Sequence, residues 1–220
     1  MKKLLLLACI LLPVALQAQK KPLDHTVFDS WEAVANSVIS ASGRVVAYEV
    51  NPQEGDGTLT LCISGKKQDR VVEIPRGYKV TLLGDDSYAV CLIKPYFAKT
   101  RRAKIDKKKA DDMPKDSLAI IDLKTGDVRK FPDVKGYKMG KDALQAFAFT
   151  TADTTFIPKK ERKKKDIGGP LAVYYFADGS IDTLRNVSQY TFSKDGGQLA
   201  LVRQFGKLKM NAGFYRTATR

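Results

Sequence analysis

The feature that most constrains this chain is a polar turn that recurs just before an apolar, strand-like run. The four copies lie at residues 40–43, 84–87, 140–142 and 193–197. Counted between Gly43, Asp86, Asp142 and Asp195, they are 43, 56 and 53 residues apart. Glycine and aspartate suit such turns because they tolerate a left-handed backbone. A repeat of about 40–50 residues, rich in short strands, is typical of one propeller blade.

The blocks also contain a pattern of strand, tight turn and strand. Residues 118–123, 124–127 and 128–132 follow that order, and residues 171–176, 177–180 and 181–184 repeat it. Short apolar runs between turn residues indicate antiparallel strands. We therefore predict an all-β fold: a partial β-propeller of about three to four four-stranded antiparallel blades. An ordinary β-sandwich with unequal loops is the alternative. A closed ring takes about four to eight blades, so we expect this ring to be incomplete.

The first eighteen residues resemble a secretory signal peptide. Two lysines, Lys2 and Lys3, precede an apolar run over residues 4–16, and the small residue Ala18 precedes a polar stretch. This order predicts a signal peptide at 1–18 and export to the periplasm or beyond. A lipoprotein anchored through Cys9 is the alternative, although only a short apolar run precedes that cysteine. No later run approaches the roughly 18 apolar residues of a membrane-spanning helix.

The remaining chain divides into three predicted parts. Residues 19–39 form an N-terminal segment, in which the pattern of residues 29–37 predicts a short helix with Asp29 as its N-cap. Residues 40–206 form the partial propeller, with basic insertions near 99–116 and 158–169 that lengthen two of the blocks. Residues 207–220 show no second hairpin, so we expect an irregular or truncated tail there.

The positive charge is concentrated in two stretches. The formal net charge is +14, and much of the excess lies in residues 99–109 and 159–165. Neither stretch interleaves aromatic residues among its charges, as proteins that stack single-stranded bases do. The pattern therefore argues against a nucleic-acid partner and favours solvated surface loops. Attraction to an anionic envelope surface remains open.

Residues that could carry chemistry are few. His25 is the only histidine, it lies close to the predicted cleavage point, and no Gly-x-Ser-x-Gly elbow occurs. The acidic pairs Asp85-Asp86 and Asp111-Asp112 are adjacent residues in turns or loops rather than carboxylates across a cleft. We therefore predict no catalytic, cofactor-binding or metal-binding residue and no cofactor. A disulfide between Cys62 and Cys91 is compatible with export, but both residues also fit as buried apolar side chains.

Several segments in order resemble exported bacterial peptidases of the prolyl oligopeptidase family. The resemblance rests on residues 21–31 (KPLDHTVFDSW), 50–57 (VNPQEGDG), 74–78 (IPRGY), the basic stretch 94–109 and 113–118 (MPKDSL). It extends over roughly residues 20–205. Such proteins, which include dipeptidyl aminopeptidase and acylaminoacyl-peptidase types, join an N-terminal β-propeller to a C-terminal α/β-hydrolase domain with a Ser-Asp-His triad.

The resemblance implies a gating role. The propeller of such a peptidase caps the active site and admits short peptides. This chain matches only the first half of the propeller, and no part of it matches the hydrolase domain, so we carry over no catalytic residue and expect the chain to be inactive by itself. Its implied partners are the absent hydrolase domain and, in the full protein, short peptide substrates. A non-catalytic envelope propeller that binds other molecules is the alternative.

Overall fold

The structure is a computed structural model that describes residues 27–28, 31–65, 68–151, 168–206 and 209–217. The predicted signal peptide, Cys9, His25 and the second basic stretch, 159–165, lie outside these residues. The strands are β1 (Glu32–Ile39), β2 (Val45–Pro52), β3 (Thr58–Ile63), β4 (Arg70–Pro75), β5 (Gly77–Leu82), β6 (Tyr88–Ile93), β7 (Asp116–Asp122), β8 (Val128–Met139), β9 (Ala146–Thr151), β10 (Gly169–Tyr175), β11 (Ile181–Phe192), β12 (Gln198–Gly206) and β13 (Lys209–Arg216). The helix α1 spans Phe97–Ile105, and a short 3-10 helix spans Ala110–Asp112.

Within each of two sheets, every strand pairs antiparallel with its neighbours in chain order. Strands β1 to β4 form one sheet, and β5 to β13 form a second, continuous sheet. The continuity comes from two twelve-residue strands that each serve two blades. In β8, residues 128–131 pair with β7, residues 136–139 pair with β9, and Val134 has a partner on both sides. In β11, Val187 is opposite both Gly169 of β10 and Arg203 of β12.

Four blades follow from these pairings, which confirms the predicted partial propeller. Blade 1 is β1–β4, blade 2 is β5–β7 with the first part of β8, and blade 3 is the rest of β8, β9, β10 and the first part of β11. Blade 4 consists of the rest of β11, β12 and β13. The chain bends between blades at Arg76, Asp133 and Asn186, whose φ angles are 63°, 54° and 60°.

The recurring polar turns occur where the sequence predicts them. Each joins the first strand of a blade to the second through a backbone hydrogen bond between residues three apart. The N–H groups of Gly43, Asp86, Ala143 and Gly196 donate to the carbonyls of Ser40, Leu83, Gly140 and Ser193 at 2.9–3.2 Å. Three of these donors have a positive φ, which explains the glycine and aspartate in the repeat.

The core lies between the blades, so the central strands are buried on both faces. In β6, Ala89, Cys91 and Ile93 pack against blade 1, whereas Val90 and Leu92 pack toward blade 3. A third cluster, with Leu171, Val173 and Leu199, joins blades 3 and 4. Burying each such Leu, Ile or Val contributes about 1.5–3 kcal/mol to the stability of the fold. Because both faces of these strands are buried, their sequences are continuously apolar rather than alternating between apolar and polar residues.

Two sequence-based expectations were wrong. The predicted helix at 29–37 is not formed, because residues 32–39 form β1, which pairs with β2 from Glu32 opposite Pro52 to Ile39 opposite Val46. The capping pattern is a local signal, whereas the edge of β2 pairs with these residues along both ends of β1, on either side of a bulge between Ala35 and Val38. The tail expected to be irregular contains β13, which pairs with β12 over most of its length. The first basic insertion contains α1.

The two cysteines of the blades are not bridged. Both Cys62 and Cys91 are free thiols. Cys91 is buried between blades 1 and 2, whereas Cys62 lies opposite Val46 and Val71 on the other face of blade 1. The sheet of blade 1 therefore separates the two sulfur atoms.

Candidate functional site

The first strands of consecutive blades contact one another directly. The Tyr137 hydroxyl, on β8, donates to the Lys79 carbonyl oxygen of β5 at 2.6 Å and shares a 2.8 Å hydrogen bond with the Thr81 hydroxyl. The Lys138 ammonium, also on β8, donates to the Tyr190 carbonyl oxygen of β11 at 3.0 Å. Because the first strands are this close, the blades converge along β5, β8 and β11.

A cavity of about 650 Å³ lies between β5 and β8 at this convergence. Four exposed lysines line it, and we call them the lysine wall: Lys79, Lys135, Lys138 and Lys141. The other lining residues are Tyr78, Val80, Thr81, Leu92, Gly136, Tyr137, Met139 and Gly140. Among the described residues, the lining is therefore cationic, partly aromatic and free of acidic side chains.

A short recurring sequence creates this wall. Gly-Tyr-Lys occurs at residues 77–79 on β5 and again at 136–138 on β8. A β-bulge interrupts the pairing of both strands there, and Lys79 has a φ of 50°. A side chain at Gly136 would meet nothing within 4 Å, so the backbone of β8 borders open space. The bulges bring lysines of two blades to one cavity.

The tyrosines of the cavity remain neutral hydrogen-bonding groups. Burial, a hydrogen bond to Asp116 and the charge of that carboxylate raise the pKa of Tyr78 well above its usual value. The Tyr78 hydroxyl donates to Asp116 Oδ2 at 2.5 Å, and the ammonium groups of Lys79 and Lys94 lie 5.5 and 5.1 Å from the ring centre. Burial likewise raises the pKa of Tyr137. The positive charge of the wall is thus not offset by phenolate.

A smaller cleft of about 290 Å³ lies at one rim of the blades. Asp56, from the β2–β3 loop, accepts a hydrogen bond from the Phe97 N–H at 2.8 Å, at the start of α1. The Arg76 guanidinium donates to the Lys94 carbonyl oxygen at 2.8 Å and lies 3.7 Å from the ring centre of Tyr96. These contacts fix α1 against blades 1 and 2 rather than create a catalytic group.

Both basic connections start from this rim. In each blade, the second and third strands are joined at this end. The β6–β7 connection, residues 94–115, has nine Lys and Arg against three acidic residues. The β9–β10 connection has six Lys and Arg residues against three acidic residues. Its described ends, Thr151 and Gly168, lie at the same end of the blades. The two basic stretches therefore start from one rim.

The basic side chains of α1 are largely unpaired with acids. Lys99, Arg101 and Lys104 are exposed, and among the described residues the helix makes one ion pair, from Arg102 to Asp106 at 3.2 Å. The helix is nine residues long, and in the part of the chain that the structure describes no helix is long and apolar enough to cross a membrane.

The acidic pairs considered from sequence lie in structural turns. Asp85 accepts hydrogen bonds from the Ser87 N–H and hydroxyl, and Asp86 accepts one from the Ser42 hydroxyl. Asp111 and Asp112 form the exposed 3-10 helix. The described residues contain no group of three or more His, Cys, Asp or Glu side chains that could hold a metal ion. The absence of catalytic residues from this chain remains a prediction.

Sequence reasoning missed the lysine wall. Its members are spread over residues 79–141, and only the blade repeat brings them together. The recurrence of Gly-Tyr-Lys at corresponding first strands was the signal that could have revealed it.

No family model matches the chain, and no curated protein matches it. Among solved structures, it is similar to acylaminoacyl peptidase from Pyrococcus horikoshii, with 13% identity, a TM-score of 0.48, and coverage of 83% of this chain and 30% of that chain. It is similar to the β-propeller domain of the Trilobed protease from Pyrococcus furiosus, with 10% identity, a TM-score of 0.49, and coverage of 84% and 55%.

A eukaryotic initiation factor also resembles the chain, with 13% identity, a TM-score of 0.34, and coverage of 86% of this chain and 54% of that chain. The chain thus spans only part of the structures it matches, from 30% to 55% of their length in these three. Propeller domains of peptidases are among these structures, and the likeness concerns the fold.

Proposed function

We propose that this chain is the N-terminal gating and substrate-selecting propeller of a secreted serine peptidase that cleaves short peptides. It is not catalytic by itself. The observation that carries the proposal is the side-by-side arrangement of β5, β8 and β11, bridged by the hydrogen bonds of Tyr137 and Lys138. Blades that converge on their first strands border a passage, and the sequence resemblance to exported peptidases supplies the enzyme that such a passage would guard.

Gating by these blades would work through exclusion. A passage beside the first strands admits an extended peptide but not a folded domain, and rigid walls make that distinction sharp. The hydrophobic clusters between blades supply the rigidity, since close-packed cores resist deformation. The nucleophile, base and orienting acid would come from an α/β-hydrolase domain of the same protein, and export would follow from residues 1–18.

The test uses the natural protein that contains these blades, purified from the cells that produce it. We expect a fluorophosphonate probe, which reacts with activated serines, to label that polypeptide. We also expect that protein to cleave short peptides but not an unstructured linker that joins two folded domains. No labelling would remove the peptidase proposal. Equal cleavage of both substrates would remove gating while leaving the peptidase.

A non-catalytic envelope propeller is the second candidate. The observation that favours it is the exposed basic side chains of α1, Lys99, Arg101 and Lys104, at one rim, because a cationic rim suits adhesion to an anionic polymer or membrane. The two candidates differ in fluorophosphonate labelling, which only the first requires.

A further inference from the structure

We infer that the lysine wall is a binding site for acidic peptides, which gives the proposed gate a substrate preference. This inference rests on the proposed function, because it names the class of peptide that the passage would favour. The ligand is an extended peptide with Asp or Glu side chains spaced along it. The wall would act on these carboxylates through its ammonium groups.

The charge of the wall is available to a ligand. Among the described residues, the four ammonium groups of the wall form no ion pair, since the ion pairs there are Arg102–Asp106 and Lys194–Asp142. The Lys138 ammonium is held by the Tyr190 carbonyl oxygen, which leaves its other hydrogens free to donate. The remaining three lysines project from exposed positions around the same cavity.

The cavity has the shape and chemistry for a peptide. A volume of about 650 Å³ accommodates several residues of an extended chain, and ligand sites of about 300–1,000 Å³ are typical. Tyr78 and Tyr137 provide aromatic surface next to the lysines, while their hydroxyl groups form hydrogen bonds within the protein. The bare backbone at Gly136 allows close approach. Several like charges around one concave surface also raise the local concentration of an anionic ligand.

The preference is for acidic side chains spread along the peptide rather than for a single terminal carboxylate. The four lysines come from two different blades, and Lys79 on β5 is 62 positions before Lys141, which lies in the turn after β8. One carboxylate cannot satisfy all of them, whereas alternating acidic residues of an extended peptide present carboxylates along one side.

The experiment compares two peptides on the purified full chain by fluorescence anisotropy at low ionic strength, each with an uncharged fluorophore. One is Glu-Ala-Glu-Ala-Glu and the other is its isosteric counterpart Gln-Ala-Gln-Ala-Gln. We expect the acidic peptide to bind at least about tenfold more tightly, since each exposed charge pair changes an equilibrium constant by up to a few-fold. Equal affinities would overturn the inference.

A matched pair of variants separates the wall from net charge. The first carries Lys79→Gln, Lys135→Gln and Lys141→Gln, and the second carries Lys104→Gln, Lys107→Gln and Lys109→Gln on the rim. We expect the wall variant to lose most of the preference, about tenfold, and the rim variant to change it less than about twofold. Equal loss in both variants would show a non-specific charge effect and reject the site. Circular dichroism establishes that both variants are folded.

The result is separable from the test of gating. Peptide binding by this chain requires no hydrolase, so a failed binding experiment removes the acidic preference and leaves fluorophosphonate labelling unaffected. Conversely, an unlabelled polypeptide that still prefers the acidic peptide would keep the binding site and lose the peptidase.

Discussion

At the residue scale, Tyr137 fastens blade 3 to blade 2, and Tyr190 fastens blade 4 to blade 3. The Tyr137 hydroxyl lies 2.6 Å from the Lys79 carbonyl oxygen and 3.0 Å from that of Val90, in blade 2. The Tyr190 hydroxyl donates to the Ala148 carbonyl oxygen, in blade 3, at 3.3 Å. In both cases a side chain on the first strand of one blade reaches the second strand of the preceding blade.

We expect Tyr137→Phe to lower the free energy of unfolding by about 1–2 kcal/mol, because it leaves partly buried acceptors without their donor. Urea denaturation followed by fluorescence measures this change. Tyr96→Phe is the control, since Tyr96 is half-exposed and its hydroxyl makes no hydrogen bond among the described residues. Equal stability of the two variants would show that the hydrogen bonds of the Tyr137 hydroxyl do not stabilise the contact between blades 2 and 3.

The two cysteines should differ in reactivity. Burial raises the pKa of the Cys91 thiol to about 12, so the thiol stays protonated at pH 8. The same burial keeps reagents in solution from reaching its sulfur atom. We expect iodoacetamide to modify Cys62 and spare Cys91 in the folded chain, with peptide mapping to identify the site. In denaturant, both should react. Above the usual thiol pKa of about 8.5, the unfolded chain loses a proton that the folded chain keeps, so this thiol lowers stability as pH rises.

At the element scale, α1 depends on a residue from another blade. Tyr96 occupies its N-cap position and provides no side-chain hydrogen bond, whereas Asp56 accepts one from the Phe97 N–H. Asp56→Ala should therefore destabilise the helix by about 1 kcal/mol and speed tryptic cleavage after Lys99 to Lys104. Asp111→Ala removes the same charge from the exposed 3-10 helix and should leave cleavage unchanged. Equal effects would assign the change to charge alone.

The sequence predicted the elements that obey the repeat. The four turns and the hairpins after β7 and β10 follow from glycine, aspartate and apolar runs, which act locally. By contrast, β1 and β13 depend on pairing with β2 and β12, so their own residues carry little signal. The lysine wall was hidden for the same reason, because Lys79 and Lys138 approach only after two blades have packed together.

At the scale of the whole molecule, the outer faces of blades 1 and 4 have no blade packed against them among the described residues. On blade 4, Phe214 is 83% exposed and lies beside Ala200 in the pairing of β12 with β13. On blade 1, Val34 and Ile39 are similarly open, at 69% and 66%. Exposed apolar sheet faces of this kind favour association.

We expect the isolated chain to self-associate as its concentration rises, and Phe214→Lys to weaken that association. Sedimentation velocity measures both. Ile105→Lys provides the matched control, because Ile105 is 64% exposed but lies on α1, away from the blade faces. A monodisperse wild-type chain would contradict the expectation, as would equal effects of the two substitutions.

The uneven distribution of charge leads to a salt-dependent prediction for the second candidate function. We expect the chain to adsorb to vesicles rich in phosphatidylglycerol at low salt and to release near about 0.5 M salt, where screening is short-ranged. Flotation assays measure the bound fraction. The rim variant described above should bind less, and the wall variant should bind normally. Adsorption that ignores salt would exclude a charged rim as its cause.

The shared strands also determine how force passes through the molecule. Since β8 and β11 each belong to two blades, pulling blade 3 away from blade 2 or blade 4 would require rupturing the hydrogen bonds of a strand that pairs with one blade along its first part and with the next blade along its second part. Blades 1 and 2 have no such strand in common, because β4 ends at Pro75 and β5 begins at Gly77 in the other sheet. Mechanically, blades 2 to 4 are therefore coupled through shared strands, whereas blade 1 is attached through side-chain packing and through the backbone hydrogen bonds of Arg76 to Gly57 and Lys94.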